Sequence, residues 1–388
     1  MALLGPLSVF LTSLSAIPLT YVVNQLSMTR SPLLMFIVGT LALSAVTAIP
    51  YFIVRNNPQR TDNFFYVLSI FTFASVVDLV IALENDGIIA NFMAFYLRDG
   101  EPYLKTAHGT MISYWDGVAH YAMYLMILAA QCWNQSYRDV GLYWAASIGH
   151  SMLVFMPGIF MGSHGIRWPC LLNVPYVIIP FYYGAKFLFQ GRPAEDFSVQ
   201  PKQEPSSPAP RIWRRPIDIF FLIFFVGASG LAILRFIAAL GGNVQLAKHY
   251  LSSLEPYLED SPYPKVQMMV YLFYFLPYYA AAIYGLLQPG HSWMLDWSLL
   301  HAGAAAQGQF SHIGASFHYR TPFMHRVPQH GHTRLIFWLI NGGLMIIPQL
   351  FAYRCLNYPS YFTASNTPSK QAEENGKKET VESRKKVL

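Results

Sequence analysis

Asp116 and His120 lie four residues apart in the apolar run TMISYWDGVAHYAMYLMILAA and could carry out acid–base chemistry. Residues i and i+4 share one face of a helix, so the carboxylate can accept a hydrogen bond from the imidazole. A carboxylate in that position lowers the cost of burying both groups and orients the imidazole for proton transfer. The pair is therefore a candidate catalytic or binding site inside an otherwise apolar segment.

Few other ionisable residues interrupt the apolar stretches, and each is a candidate for a functional role. They are Asp78, Glu84, His150, Arg235, His301 and His312. A charged side chain at the centre of a bilayer costs about 2.5–3.5 kcal/mol on insertion scales, so we expect each one to face the protein interior and to have a partner. The candidate catalytic residues are Asp78, Asp116 and His120.

Aromatic residues near this pair indicate what kind of ligand it would meet. Tyr114 and Trp115 precede Asp116, and Tyr176 lies in a later apolar segment. Flat aromatic rings suit a sterol or stabilise a carbocation, although aromatic stripes more often serve core packing. Three interpretations stay open: polar groups that fix helix packing, an enzyme that moves protons on an apolar substrate, and a transporter. The transporter is disfavoured because the segments lack paired Gly-rich interruptions at mid-depth.

The elements that position these residues are predicted to be membrane-spanning helices. Of the 388 residues, 54% are hydrophobic and only 12% are charged, and the mean hydropathy is +0.31. A helix of about 20 apolar residues crosses a hydrocarbon core of about 30 Å. We therefore predict an all-α polytopic membrane protein with about ten transmembrane helices, near residues 7–26, 32–54, 64–84, 110–132, 140–162, 169–190, 217–241, 266–288, 296–316 and 335–353.

The basic character of the chain is better explained by membrane topology than by nucleic-acid binding. The net charge is +6 and the pI is about 9.0. The basic residues are scattered over short loops and the C-terminal tail, without a stripe that could follow phosphates. Lysine and arginine are more numerous on the side that holds both termini, which the positive-inside rule makes cytosolic. We expect no nucleic-acid partner, cofactor or metal.

The sequence contains an internal repeat, which indicates two related blocks. EPYL occurs at residues 101–104 and 255–258, and ASVVDLVIAL matches LAILRFIAAL, which places Asp78 opposite Arg235. Such a duplication predicts repeats of parallel topology, although it can also serve stability alone. The predicted organisation is two leading helices (1–60), a first four-helix block (61–190), a cytosolic linker (191–215), a second block (216–353) and a disordered cytosolic tail (354–388).

The C-terminal end of the chain suggests a compartment. Lys385 and Lys386 precede the last two residues and resemble the dilysine signal by which cytosolic coat proteins return membrane proteins to the endoplasmic reticulum. Such a signal works only in the cytosol, where the charge distribution independently places the tail. So short a motif also arises by chance. The tail predicts a multi-pass protein of the endoplasmic reticulum and the ER–Golgi intermediate compartment, with coat proteins as partners.

Several segments together resemble the transmembrane 6 superfamily. They are DLVIALENDG, GEPYLKTAHG, YWDGVAHY, GLYW, YPKVQM, QFSHIGAS and LFAYRCL. The resemblance runs from about residue 8 to residue 360, and HGIRWPCLLNVPY with the dilysine tail favours the endoplasmic-reticulum branch over its lysosomal relative. It implies two EXPERA domains, a type shared with the emopamil-binding sterol isomerase and the sigma-2 receptor.

The resemblance also permits a comparison with the sterol isomerase, which uses a histidine and a glutamate four residues apart and a second glutamate. Asp78 stands at the histidine position and Ala82 at the first glutamate position, so the proton-transfer pair is replaced. A missing base typically removes 10²–10⁴-fold of rate. We therefore expect a ligand cavity without catalysis. With Asp116 at the second glutamate position and Asn173 and Tyr176 at the Asn-x-x-Trp pair, the expected ligand-binding residues are Tyr114, Trp115, Asp116, His120, Asn173 and Tyr176.

The function that the resemblance implies is lipid handling. We expect a protein that binds a sterol or other lipid, promotes the lipidation and secretion of triglyceride-rich lipoproteins, and limits lipid-droplet content. The implied partners are a membrane lipid or sterol, apolipoprotein B and lipoprotein assembly factors. Two alternatives stay open: a sterol delta8-delta7 isomerase-like enzyme that uses Asp78, Asp116 and His120, and a scaffold whose lumenal EPYL loops hold an assembly factor.

Overall fold

The computed structural model describes residues 4–26, 31–55, 62–192, 212–288 and 290–363. Within these residues all regular secondary structure is helical and there is no strand. The predicted all-α polytopic membrane fold is therefore confirmed. Most of the predicted linker and of the predicted tail, with Lys385 and Lys386, lies outside the described residues.

The helices follow the order of the predicted segments. The leading part contains α1 (Leu4–Leu14), α2 (Ala16–Gln25) and α3 (Pro32–Val54). The first block contains α4 (Asn63–Asn85), α5 (Ala107–Trp115), α6 (Tyr121–Cys132), α7 (Arg138–Met161) and α8 (Val174–Phe189). The second block contains α9 (Pro216–Ala239), α10 (Gln245–Ser253), α11 (Pro262–Val270), α12 (Leu276–Leu287), α13 (Trp293–Phe317) and α14 (Gly331–Asn357), and the short α15 (Pro359–Thr363) follows.

Short π and 3-10 turns interrupt the helices at matching places in the two blocks. A π turn at Asp116–His120 joins α5 to α6, and another at Tyr271–Phe275 joins α11 to α12. Each EPYL segment forms a 3-10 turn, at Pro102–Lys105 and at Pro256–Glu259. The remaining short turns are Tyr96–Gly100 (π), Trp168–Asn173, Ile212–Arg214 and Phe323–His325.

Seven helical stretches among the described residues are long and apolar enough to cross a membrane. They are Leu4–Gln25, Pro32–Val54, Asn63–Asn85, Arg138–Met161, Pro216–Ala239, Pro262–Leu287 and Gly331–Asn357. The other three predicted spans are also helical. The predicted span 110–132 contains a π turn, as Pro262–Leu287 does, and α8 has only 16 residues, fewer than the roughly 20 that a perpendicular span needs. α13 is more polar because it is buried along almost its whole length and needs no broad lipid-facing side.

The two blocks pack against each other through α7 and α13. Small residues on α13 let the helices approach closely, and a Cβ atom on Gly303 would lie 2.2 Å from the backbone oxygen of Tyr143. Close backbone approach at small residues is a common way for membrane helices to associate. At one end of the pair Arg138 donates hydrogen bonds of 2.8 and 2.7 Å to Asp296. The contact therefore combines backbone packing with an ion pair.

Polar contacts attach the leading helices to the first block. The Asn24 side chain donates a 2.8 Å hydrogen bond to the backbone oxygen of Asn91 and accepts one of 3.1 Å from the backbone nitrogen of Phe95. The hydroxyl groups of Ser13 and Tyr121 are 3.0 Å apart. In α4, Ser69 donates a 3.1 Å hydrogen bond to the backbone oxygen of Val46 in α3. α2 and α3 complete one wall of the block's interior.

The fold extends past the predicted end of the second block at residue 353. α14 continues to Asn357, and the chain then turns into α15. Within α15 the Tyr361 hydroxyl donates a 3.0 Å hydrogen bond to the backbone oxygen of Leu286, and Phe362 is fully buried. The first ten residues of the predicted tail therefore pack on the second block.

Candidate functional site

A cavity of about 200 Å³ lies inside the first block and is bordered by the leading helices. Its walls are mainly apolar, with side chains such as Leu19, Val38 and Ile81 from α2, α3 and α4. A cluster of polar groups lines one part of it: Asp78, Glu101, Ser113, Asp116, His120, Asn173 and Tyr176. The structure thus brings five of the predicted site residues to one cavity, namely Asp78, Asp116, His120, Asn173 and Tyr176.

Asp116 and His120 are hydrogen-bonded to each other, as their spacing predicts. His120 Nδ1 lies 2.6 Å from Asp116 Oδ1, and Ser75 donates a 2.8 Å hydrogen bond to Asp116 Oδ2. On its other side His120 Nε2 lies 2.8 Å from the hydroxyl oxygen of Ser147, which also accepts a 2.9 Å hydrogen bond from Trp115 Nε1. Both ring nitrogens of His120 are therefore engaged by protein groups.

One arrangement of hydrogen atoms gives every donor in this chain of hydrogen bonds an acceptor. Trp115 can only donate, so Ser147 accepts from it and is free to donate its hydroxyl hydrogen to His120 Nε2. His120 then carries its proton on Nδ1 and donates it to Asp116. Every polar atom along the chain has a partner, which is the arrangement that makes buried polar networks stable.

Asp78 faces the same cluster from α4. Its carboxyl group interacts with that of Asp116 and lies within electrostatic range of Glu101. No lysine or arginine of the described part of the chain lines the cavity. The site therefore keeps neighbouring carboxyl groups although the histidine–glutamate pair of the isomerase is replaced.

Glu101 is a cavity residue that the sequence interpretation missed. It accepts hydrogen bonds from the Tyr96 hydroxyl at 2.6 Å, from the Asn173 side-chain nitrogen at 2.5 Å and from the Tyr103 hydroxyl. Burial raises the pKa of Glu101, and its three hydrogen-bond donors only partly offset that effect. The repeated EPYL motif marks the position, but a charged residue in a loop is usually solvent-exposed. The side chains of Tyr103 and Tyr257 at the equivalent third positions are also buried.

A close helix contact holds the π turn in place. A Cβ atom on Gly117 would lie 2.6 Å from Leu79 Cβ and 2.8 Å from Leu79 Cα. The absence of a side chain at Gly117 therefore lets the turn approach the backbone of α4. This approach brings Asp116 within hydrogen-bond distance of Ser75. π turns of this kind are frequent at functional sites.

Tyr114 and Trp115 do not line the cavity, so the predicted ligand-binding set needs correction at these two positions. The Tyr114 hydroxyl donates a 2.9 Å hydrogen bond to Asp86 Oδ2. The Trp115 ring packs on Phe310 of α13, with ring centroids 5.1 Å apart. Successive residues of a helix point in different directions, so neighbours of Asp116 in sequence face other helices.

The second block has a corresponding cluster, but an arginine fills it. Arg235 is fully buried and donates hydrogen bonds to Glu255, to Asn341 Oδ1 at 2.7 Å and to the Tyr250 hydroxyl at 3.0 Å. Burial alone would raise the pKa of Glu255, but the charge of Arg235 together with His312 and the Asn341 hydrogen bond outweighs burial and lowers the pKa. Although the repeat places Asp78 opposite Arg235, the two residues belong to separate clusters and do not form an ion pair with each other.

The remaining polar residues of the spans are inside the protein, as expected, but neither ring nitrogen of His301 has a hydrogen-bond partner among the described residues. His150 Nδ1 lies 2.6 Å from Gln307 Oε1, and the His301 ring stacks on that of Tyr278 with centroids 4.3 Å apart. Glu84 accepts hydrogen bonds from the backbone nitrogens of residues 92 and 93 and fixes the loop after α4. Within the described ranges no group of three or more His, Cys, Asp or Glu residues could hold a metal ion.

Comparison with known proteins assigns the family. A family model described as "Transmembrane 6 superfamily member 2-like, transmembrane domain" matches residues 15–198. The mouse protein "Transmembrane 6 superfamily member 2" is 39% identical over 370 residues, which cover 95% of this chain and 97% of the mouse protein. The chain belongs to the transmembrane 6 superfamily member 2 family. The human member is also 39% identical, over 353 residues that cover 90% of this chain and 92% of the human protein.

A second family model matches the second block. A model described as "EXPERA (EXPanded EBP superfamily)" matches residues 244–355. An EXPERA domain is therefore confirmed there, and for the first block it stays a prediction. No solved structure matches this member of the family.

Proposed function

We propose that this chain is an endoplasmic-reticulum membrane protein that binds a sterol or other lipid and does not transform it. In this role it promotes the lipidation and secretion of triglyceride-rich lipoproteins and limits lipid-droplet content. The observation that carries the proposal is the cavity of the first block, where apolar walls surround a small cluster of polar groups. Pockets that combine a large apolar lining with a few placed polar groups are typical of small-molecule sites.

The partners of His120 favour a binding role at the cavity. A histidine between a carboxylate and a hydroxyl could activate that hydroxyl, but Ser147 does not line the cavity. A general acid or base must reach the substrate atom with which it exchanges a proton. Both nitrogens of His120 are occupied, by Asp116 and by Ser147. At the position four residues after Asp78 stands Ala82, which is buried and has no group that could transfer a proton. A binding site is the function that fits this chemistry.

A sterol isomerase-like enzyme is the second candidate, because Asp78 and Asp116 both line the cavity and their carboxyl groups interact. Two carboxyl groups can in principle give and take the protons that move a double bond. Purified protein assayed for double-bond migration in a sterol distinguishes the two candidates. Turnover that is lost in Asp116→Asn would support the enzyme and overturn the binding proposal.

The partners of the proposed function are a membrane lipid or sterol, apolipoprotein B and lipoprotein assembly factors, with coat proteins at the dilysine tail. The family membership of the chain supports this assignment. The scaffold alternative, with partners held by the EPYL loops, has less support because Glu101, Tyr103, Glu255 and Tyr257 are all buried. The glutamate and tyrosine side chains that the two EPYL loops share make contacts inside the protein and are not available to a partner.

The cavity can be filled without changing its polar cluster. Ala42 of α3 lines the cavity, whereas Ala45 of the same helix is exposed. We expect Ala42→Phe to abolish saturable sterol binding by the purified protein and to fail to restore lipoprotein secretion in liver cells that lack the gene. Ala45→Phe adds the same ring outside the cavity and should restore both. Full secretion with Ala42→Phe would contradict the proposal.

A further inference from the structure

The two blocks build the same glutamate–asparagine pair. In the first block Asn173 Nδ2 donates a 2.5 Å hydrogen bond to Glu101 Oε1. In the second block Asn341 Nδ2 donates a 2.7 Å hydrogen bond to Glu255 Oε1. Both glutamates belong to EPYL motifs and both are buried. The same atoms therefore pair in both blocks.

The second block shows what such a pair binds. Arg235 donates hydrogen bonds from one guanidinium nitrogen to both members of the pair, to Glu255 Oε1 and to Asn341 Oδ1. The guanidinium bridges the carboxylate oxygen and the amide oxygen, which lie side by side because the amide nitrogen is bound to the carboxylate. A glutamate–asparagine pair arranged in this way is an acceptor site for a hydrogen-bond donor.

The first block presents the same acceptor site to the cavity. Asp78 stands where the second block has Arg235, so no guanidinium reaches the pair. Among the described residues none donates a hydrogen bond to Asn173 Oδ1, while its side-chain nitrogen is used by Glu101 and by the backbone oxygen of Cys170. Glu101 and Asn173 both line the cavity. The site is therefore an acceptor pair that faces a mainly apolar chamber.

The remaining acceptor capacity of the pair suits a hydroxyl group. A carboxylate has about four acceptor positions, and Glu101 uses three of them for Tyr96, Tyr103 and Asn173. One position on Glu101 and the oxygen of Asn173 are left for a ligand. A hydroxyl group supplies one hydrogen, whereas an ammonium group brings three donors that all need partners.

We propose that Glu101 and Asn173 recognise the hydroxyl group of the bound lipid, so that the cavity takes a lipid with a free hydroxyl, such as a sterol, in preference to its ether. This inference rests on the proposed lipid-binding function and adds the chemical group by which the ligand is selected. A site that hydrogen-bonds a hydroxyl discriminates strongly against an analogue that leaves its buried acceptors unpaired.

Competition between two sterols tests the inference on the unmodified protein. Purified full-length protein in detergent is loaded with radiolabelled cholesterol, which is then displaced by cholesterol or by cholesterol 3-O-methyl ether. The ether keeps the ring system but cannot donate a hydrogen bond. We expect it to compete about 10-fold to 100-fold more weakly than cholesterol, the loss that one unpaired buried acceptor produces.

Matched variants in the two blocks assign the preference to the first pair. Asn173→Leu removes one of these acceptors, so cholesterol and the ether should displace the label almost equally from this variant. Asn341→Leu alters the equivalent pair of the second block, which does not line the cavity. This variant should therefore keep the preference for cholesterol over the ether. Equal displacement by both sterols in the unmodified protein, or an unchanged preference in Asn173→Leu, overturns this inference and leaves the proposed function standing. Absence of saturable cholesterol binding overturns both.

Discussion

Different neighbouring groups give two equivalent glutamates opposite pKa shifts. Glu101 and Glu255 occupy the same place in the repeated EPYL motif, and both are buried. Burial raises the pKa of Glu101, which has only neutral hydrogen-bond donors. Burial acts on Glu255 as well, but the charge of Arg235, His312 and the Asn341 hydrogen bond together outweigh it and lower that pKa. One residue difference, Asp78 against Arg235, therefore separates a ligand-facing carboxyl group from one in a structural ion pair.

Replacing each glutamate by glutamine should reveal this difference in stability. Glu255→Gln leaves the buried guanidinium of Arg235 without a counter-charge, and we expect it to destabilise the protein by about 3–5 kcal/mol. Glu101→Gln keeps a side chain of the same size and strands no charge, so its effect should stay within about 1 kcal/mol. Thermal unfolding midpoints in detergent measure both variants, and equal losses would contradict the assignment.

The two glutamates should also affect the pH dependence of stability in opposite directions. Because the pKa of Glu101 is raised on folding, its contribution to stability falls as the pH rises from its unfolded value through its folded value. Because the pKa of Glu255 is lowered, its contribution is present above the unfolded value and is lost as the pH falls through the folded value. Unfolding midpoints measured against pH should lose the first trend in Glu101→Gln and the second in Glu255→Gln. If either trend persists after the glutamate that causes it is replaced, the pKa shift of that glutamate is contradicted.

At the level of the elements, a π turn recurs at the same place in both blocks. Each follows a helix of 9 residues and precedes one of 12 residues. In the first block the turn carries Asp116 and His120 and approaches α4 at Gly117. The geometry of the acid–base pair therefore depends on how closely two helices meet.

Adding a methyl group at this contact should disturb the site. Gly117→Ala places its Cβ atom against the backbone of Leu79, and we expect a loss of about 1–3 kcal/mol together with weaker sterol binding, because the turn must move away from Ser75. Gly227→Ala, at a helical glycine whose Cβ meets nothing within 4 Å, is the control. It should be neutral or stabilising by up to about 1 kcal/mol. Similar unfolding midpoints for the two variants would contradict the close contact between Gly117 and the backbone of Leu79.

The helices could be predicted from the sequence, but the surroundings of each side chain could not. The length of an apolar segment predicts where a helix spans the membrane, and the four-residue spacing of Asp116 and His120 predicts that they pair. Neither indicates which neighbouring helix a residue meets, so Trp115 was assigned to the cavity although it packs on Phe310. Glu101 was missed because a charged residue in a loop is usually solvated, whereas a short 3-10 turn after it folds this loop back into the block.

At the level of the whole molecule, the halves form one unit through the contact of α7 with α13. The backbone of Tyr143 meets Gly303 directly, and Arg138 binds Asp296 at one end of the contact. Since these contacts are independent of the chain connection, we expect the halves to stay together when the connection is cut.

A protease site inserted between residues 193 and 211 makes this prediction testable. After cleavage in mild detergent the two fragments should elute as one complex in size-exclusion chromatography. Gly303→Leu forces a side chain into the backbone of α7 and should make the cleaved fragments separate, provided that the uncut variant still elutes as a monodisperse peak. Separation of the unmodified fragments would show that the linker, rather than the helix contact, joins the halves.

The central claim is that the cavity of the first block holds a sterol or other lipid. The most direct test is photolabelling of the purified protein with a photoreactive cholesterol analogue, followed by mass-spectrometric mapping of the labelled peptides. We predict saturable labelling that unlabelled cholesterol displaces, located in cavity-lining segments such as residues 73–81 and 92–96, and lost in Ala42→Phe. Labelling confined to lipid-exposed faces of α9 or α14, or labelling that Ala42→Phe leaves unchanged, would contradict the claim.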